Sequence, residues 1–283
     1  MSSGSRIVVD QCTQSEILMA SYTNEQFEPH FHRSYSFGVI LQGQCKFVCS
    51  GRQWTANAGD ICAMHPYQTH TGGSDAHKLE YRMIYPPTSW MSRLCDSSKK
   101  TLPFFSSPII RDPECFKVLS TALCDYGAGT ERCEEDGVTQ ERAFNLIVQA
   151  IQQIAMKHAV SSGIFRSPSE GHDAIGLACR YMENRWNDSI SFSDVADSVG
   201  LSRYHFSRQF KKRTGIQPRS YLRQVRLGVA KELIVTGGNL AVVSAAAGFA
   251  DQAHMTREFK KVYGVTPGHI KAVSGSRGLA STL

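Results

Sequence analysis

No stretch of this 283-residue chain reaches the ~18 consecutive apolar side chains that a membrane-crossing helix needs, and the residues ahead of Arg6 hold no apolar signal core. Membrane insertion and export are therefore not expected, and the reading is a cytoplasmic protein. Paired cysteine motifs are lacking as well. The nine cysteines (Cys12, Cys45, Cys49, Cys62, Cys95, Cys115, Cys124, Cys133 and Cys179) are odd in number, form no C-x-x-C pair and lie mostly within apolar stretches. That pattern predicts reduced thiols. Low-complexity tracts and short-period repeats are absent. So is any acid/base pair at strand spacing near the candidate pocket residues, which argues against an enzyme.

What is present is an uneven distribution of charge. From His172 to Ala272 there are 15 Lys/Arg against 8 Asp/Glu, a net of +7, whereas Met1 to Gly171 has 15 against 17, a net of −2. The chain is longer than a usual single domain, so two domains are expected, each with its own core. A basic domain beside a near-neutral one suggests a polyanion partner for the first and something else for the second.

Between Glu16 and Tyr85 the pattern is short and β-like. Segments Ser36 to Leu41, Cys45 to Cys49, Ile61 to Met64 and Glu80 to Ile84 are punctuated by Gly43, Gly51, Gly59 and Gly72-Gly73, as in a small barrel or sandwich. After Pro86-Pro87 the period becomes helical. Asp112-Pro113 is a helix start. The segment from Val138 to Ala159 sets Ala143, Leu146, Ile147, Ala150, Ile151 and Ile154 on one face, a stripe that suggests a dimer interface or packing on the chain's own barrel. Breakers from Ser161 to Gly171 mark a linker.

The basic part repeats one helical unit. In the first copy, Val195, Ala196 and Val199 face inward on a short helix, Gly200 ends it, and Ser202 caps a second helix anchored by Phe206 and Phe210. The outward faces of that second helix carry Tyr204, Ser207, Arg208, Lys211 and Lys212. In the second copy, Leu240 to Ala247 is the short helix and Gly248-Phe249 the turn. Asp251 then starts a helix with Met255, Phe259 and Val262 inward and Gln252, His254, Thr256, Arg257, Lys260 and Lys261 outward. A helix that enters a major groove needs this division, with hydrogen-bonding side chains for base edges and cations for phosphates. The two caps, Ser202 and Asp251, lie 49 residues apart, joined by a helix from Pro218 to about Val235 with Leu222, Val225, Val229 and Leu233 as its apolar side. Held rigidly, the two units can enter groove segments one turn (~34 Å) apart.

These residues resemble the DNA-binding domain of the AraC/XylS family of bacterial regulators. The likeness rests on Ala196, Gly200, Leu201-Ser202, Phe210-Lys211-Lys212, Thr214-Gly215, Arg226-Leu227, Ala230, Gly248-Phe249, Phe259-Lys260-Lys261 and Tyr263-Gly264-Val265-Thr266-Pro267. Ala247 departs from it, standing where a larger residue is common. The resemblance implies a sequence-specific transcription regulator with double-stranded operator or promoter DNA as partner, RNA polymerase as a further partner if it is an activator, and a homodimer.

The first part is similar to the cupin barrel that often precedes such a domain. The likeness implies a site at His30, His32 and His70, but Ser36 stands where metal-binding cupins carry a glutamate. Three neutral imidazoles can hold zinc with one position open, hydrogen-bond an organic effector, or line a polar barrel mouth. Tyr35, Glu80 and Arg82 are further candidates for effector contact. The expectation is an α+β chain with a cupin-like effector domain over residues 1–110, a helical dimerisation or support region over 111–160, a linker over 161–171, a double helix-turn-helix domain over 172–273 and a tail over 274–283. Rival readings are a metal-dependent cupin enzyme fused to a DNA-binding domain, and a regulator without an effector.

Overall fold

The computed structural model describes residues 4–10, 13–74, 76–94, 102–129, 137–160 and 167–275. Most of the predicted linker (161–166), the end of the tail (276–283) and Cys12, Cys95 and Cys133 lie outside the described residues.

Among the described residues ten strands form two antiparallel sheets. They are β1 (Gly4–Val9), β2 (Glu16–Tyr22), β3 (Gln26–His30), β4 (Ser36–Gln42), β5 (Gln44–Cys49), β6 (Arg52–Asn57), β7 (Ile61–Met64), β8 (His70–Gly73), β9 (Leu79–Tyr85) and β10 (Ile109–Ile110). The larger sheet has the order β1-β2-β9-β4-β7-β10 and the smaller β3-β8-β5-β6. Turn chemistry fixes the register. Gly43, at φ +81°, joins β4 to β5 where a Cβ would come within 2.2 Å of the Lys78 carbonyl oxygen, so only glycine fits. Ser50 and Gly51, both left-handed, close the β5–β6 hairpin.

Helix α1 (Thr88–Leu94) follows the last long strand, and α2 (Pro113–Gly129) and α3 (Gly137–His158) pack together over the larger sheet. The predicted apolar stripe of α3 does not form an open face. Ala143, Ile147, Ala150, Ile151 and Ile154 are buried in one core with Phe37, Val39, Ile84, Leu119 and Leu123 of the same chain, and Leu146 alone of that stripe is exposed. The stripe exists because the outer face of the sheet is itself apolar and needs cover.

The remaining helices are α4 (Ala174–Asn184), α5 (Phe192–Ser198), α6 (Arg203–Thr214), α7 (Pro218–Val235), α8 (Leu240–Ala246), α9 (Gln252–Tyr263) and α10 (Pro267–Gly275). Ser202 caps α6 by accepting from the His205 N–H, and Asp251 caps α9 by accepting from the His254 N–H. Both helices end in a left-handed glycine, Gly215 and Gly264. Helix α7 is buried on more sides than its sequence suggests. Tyr221, Leu222, Val225, Leu227, Ala230 and Ile234 are buried, whereas Leu233 is exposed, because one flank meets the helical units and another meets the barrel. Arg226 joins the two units, donating to the carbonyl oxygens of Trp186 (2.7 Å), Asp188 (2.9 Å) and Gly248 (3.3 Å).

Candidate effector cavity and DNA-facing surface

Inside the barrel lies a cavity of about 90 Å3, with a wall that includes His30, His32, His70, Tyr81, Tyr85 and, from α9, Val262 and Tyr263. His30 and His70 face each other across the β3–β8 pair, and His32 follows β3 on the same side. Their ring centroids are 4.5 Å (His30–His70), 5.1 Å (His30–His32) and 5.4 Å (His32–His70) apart. Each residue is more than nine-tenths buried. Burial therefore pulls all three pKa values down, for His70 to about 3, with the neighbouring imidazoles adding to the shift at His32 and His70. At neutral pH the three rings carry no charge.

The tautomers follow from their partners. His30 Nδ1 lies 2.7 Å from the Glu28 carbonyl oxygen, and His70 Nδ1 lies 2.8 Å from that of Gln68. A carbonyl only accepts, so Nδ1 carries the hydrogen and Nε2 keeps its lone pair. The Nδ1 of His32 is buried without a partner.

A second, wider cleft of about 650 Å3 adjoins this cavity between barrel and α7, sharing Glu16, Tyr85 and Tyr263 with it and adding Arg33, Tyr67 and Lys231. Lys231 lies 2.9 Å from Glu16 and 4.4 Å from the centroid of the Tyr263 ring. Burial lowers the Lys231 pKa, but Glu16 and Tyr263 outweigh that and leave it raised. The ammonium stays charged where it crosses from one domain to the other.

Three of the residues expected at the pocket lie elsewhere. Tyr35 points into the core under the helices, where its hydroxyl donates to the Pro103 carbonyl and its ring stacks on Phe37. Glu80 and Arg82 pair with each other at 3.1 Å on the opposite face of β9. The cavity takes the other parity of that strand, Leu79, Tyr81, Met83 and Tyr85. Ser36 shares the inward face of β4 with Ile40, and its hydroxyl is buried without a partner.

The residues expected to face DNA lie at the surface of the helical domain or partly so. Tyr204, Ser207, Arg208, Lys211 and Lys212 line one surface groove with Gln217. Tyr204, Arg208, Lys211 and Lys212 are exposed, and among the described residues no ion pair holds the three cations. On α9, Gln252, Arg257, Lys260 and Lys261 are exposed, with His254 and Thr256 half-buried. Lys261 differs from its counterpart on α6. It lies 3.2 Å from Glu258 and 3.9 Å from Glu28 of β3.

The residues missed by sequence reasoning are those that join the domains. They are Glu16, Gln224, Lys231 and Tyr263. A charged residue inside an apolar run, Glu16 before Ile17-Leu18 and Lys231 between Leu227 and Ile234, was the available signal.

Two family models match the chain, an AraC-like ligand binding domain over residues 14–147 and a helix-turn-helix domain over residues 195–272. Among curated relatives, the HTH-type transcriptional regulator YbfI of Bacillus subtilis is 28% identical over 82% of this chain and 82% of its own length. The arabinose operon regulatory protein of Salmonella typhimurium is 27% identical over 85% of this chain and 84% of its own. Among solved structures, ToxT from Vibrio cholerae O395 superposes with a TM-score of 0.54 at 13% identity, covering 97% of this chain and 98% of its own. An unsaturated fatty acid-bound ToxT gives 0.52 at 14% identity, covering 94% of each chain.

Proposed function

Because the chain belongs to the AraC/XylS family of DNA-binding transcription regulators, with a ligand-binding domain ahead of its helix-turn-helix domain, we propose that a small effector held in the barrel cavity sets how the second helix-turn-helix unit meets DNA. The observation that carries this reading is Tyr263. It is the last residue of recognition helix α9 and at the same time a wall of the effector cavity, so a ligand that fills the cavity acts on that helix directly. His30, His32 and His70 contact the effector, and the wider cleft along α7 admits it. A protein of the same fold, ToxT, has been crystallised with an unsaturated fatty acid, which supports effector binding as a use of this architecture.

On the DNA side, Tyr204, Ser207 and Arg208 of α6 and Gln252, His254, Thr256 and Arg257 of α9 read base edges. Lys211, Lys212, Lys260 and Lys261 hold phosphates. The unit boundaries at 110, 160 and 171 to 172 separate effector, support and DNA-binding functions. The regulator acts in the cytoplasm as a homodimer, engages RNA polymerase where it activates, and catalyses no reaction. With the α3 stripe closed inside its own core, the dimer must use another face, and Leu146 and Met156 on the exposed side of the same helix are the apolar residues available to it.

Selection of random duplexes with the full chain tests the reading. It should return a site with two conserved patches about one helical turn, ~10 base pairs, apart. Recovery of sequences with no common element, or with a single patch, would refute the two-unit assignment.

A further inference from the structure

The barrel cavity confronts any occupant with an unusual demand. Three imidazoles stand together in its wall beside tyrosine hydroxyls, and on two of the three rings the nitrogen left for a ligand is an electron-pair donor. The Nδ1 hydrogens of His30 and His70 are already given to the carbonyl oxygens of Glu28 and Gln68, each two residues earlier in the chain. Metal-bound histidines have this arrangement, in which a backbone carbonyl fixes the tautomer and aims Nε2. The third ring, His32, is about 93% buried (7% exposed) and has a nitrogen with no partner at all. An unsatisfied buried nitrogen carries a desolvation penalty that a bound ligand atom would relieve.

Distances and size narrow the occupant further. One nitrogen from each of the three histidines lies within 4.8 Å of the other two. Tetrahedral zinc with Zn–N of about 2.0–2.1 Å spaces its ligands by about 3.4 Å, so the rings need to draw together by at most about 1.4 Å. A void of about 90 Å3 is smaller than the ~150 Å3 that encloses benzene, and it suits an ion with a water or a small oxygen ligand. Among the described residues no carboxylate belongs to this cluster, and Glu16, in the same cavity wall, is paired with Lys231 at 2.9 Å, which disfavours magnesium and calcium. The thiols of Cys45 and Cys62 lie in the same wall, but burial raises both and keeps them protonated.

We propose that His30, His32 and His70 form a site for one divalent transition-metal ion of the zinc class, held by three neutral imidazoles with the remaining position open to water or to an oxygen atom of the effector. The ion would sit beside Tyr263, since the ring of His32 lies 6.0 Å from it. The other cluster with metal-ligand residues, Asp112, Cys115 and His158, is already used internally. Asp112 accepts from the backbone N–H groups of Glu114 and Cys115, and its second oxygen meets His158 at 3.0 Å.

The test uses the full chain, reduced and stripped with a chelator, in equilibrium dialysis against Zn2+ and in optical titration with Co2+. The expected result is one ion per chain with a nitrogen-ligated Co2+ spectrum. His30→Gln and His70→Gln should each weaken binding about a hundredfold, while Cys115→Ser binds as the parent does. Circular dichroism establishes that each variant is folded. Failure of the parent to hold a stoichiometric ion at micromolar Zn2+, or an affinity in the two folded histidine variants unchanged from that of the parent, would overturn the site. If the variants do not fold, the parent's own spectrum decides, because a strong thiolate-to-cobalt charge-transfer band would mean that cysteines and not imidazoles hold the ion. Neither readout involves DNA, so the outcome is independent of the regulator reading.

Discussion

The two helix-turn-helix units share a plan but not an environment. The first builds its core from its own helices, with Phe206, Phe210, Val195 and Met182 completely buried, and takes one buried side chain from the barrel, Phe31. The second merges its core with the barrel. Ile7, Leu18, Ala20 and Tyr22 lie in one cluster with Ala247, Met255, Phe259 and Val265. Repetition of a motif therefore does not imply equivalence. The packing leaves the first unit largely independent of the barrel and makes the position of the second depend on the domain in front of it.

The sharpest way to break this comparison is to remove the ion pair under the second unit. Glu16 and Lys231 are nearly enclosed, with side-chain exposures of 11% and 15%. Lys231→Met leaves a carboxylate buried without its partner and should destabilise the chain by about 4 kcal/mol. Urea unfolding measures the loss, and footprinting should show protection fading over the half-site of the second unit before that of the first. Equal fading over both would mean that the two units are docked alike.

Acid should separate barrel from helices almost as strongly. His65 accepts the Phe105 N–H at 2.8 Å through Nε2, and burial pulls its pKa down to about 4. Its folded value lies below the unfolded 6.5, so the unfolded chain takes up the proton first. The contribution of His65 is complete above pH 6.5, falls as pH drops toward 4, and amounts below that to a loss of about 3 kcal/mol, which adds to a loss of the same sign from His30, His32 and His70. His65→Gln should flatten this slope in pH-dependent thermal unfolding. An unchanged slope would place the sensitivity elsewhere.

A smaller effect tests the readers themselves. Arg208→Ala and Arg257→Ala should each cost about 1 to 3 kcal/mol of binding and relax preference in one half-site only, whereas Lys211→Ala should weaken all sequences alike and lower the salt slope by about one. Uniform weakening by Arg208→Ala would reassign it to the phosphate backbone. The smallest effect belongs to a more exposed interdomain pair. Arg33 and Glu232 meet at 3.0 Å but are 42% and 63% exposed, so Arg33→Gln should cost no more than about 0.5 kcal/mol in the same unfolding assay.

Much of the helical domain was legible in the sequence because its signals are local. Ser202 and Asp251 announce helix starts, Gly200 a helix end, and Phe206, Phe210 and Phe259 mark the core by spacing alone. The barrel was harder. The short strands β1, β3, β6 and β8 carry weak alternation, and on β9 both parities are partly covered, one by α2 and one by the cavity wall, so Glu80 and Arg82 could be assigned to the wrong face. The three histidines were singled out by the likeness to the cupin barrel, and the structure brings their rings together. Tyr35 was misplaced, and the stripe on α3 was left open between a dimer interface and the chain's own barrel, for one reason, since an apolar residue does not specify which of two neighbouring surfaces will cover it.

Gln224, in the middle of α7, places its amide alongside β3 as though it were another strand. Its Nε2 donates to the Pro29 carbonyl oxygen at 3.0 Å and its Oε1 accepts from the Phe31 N–H at 2.9 Å. These two backbone groups flank His30, so the histidine strand is terminated by a side chain from the DNA-binding domain. The Phe31 amide proton thereby becomes an intrinsic gauge of domain separation. While the domains are closed it is sheltered by a residue 193 positions away, and each parting hands it to water. Its exchange rate counts those openings without any label, and an occupant that tightens the barrel against α7 would slow that clock.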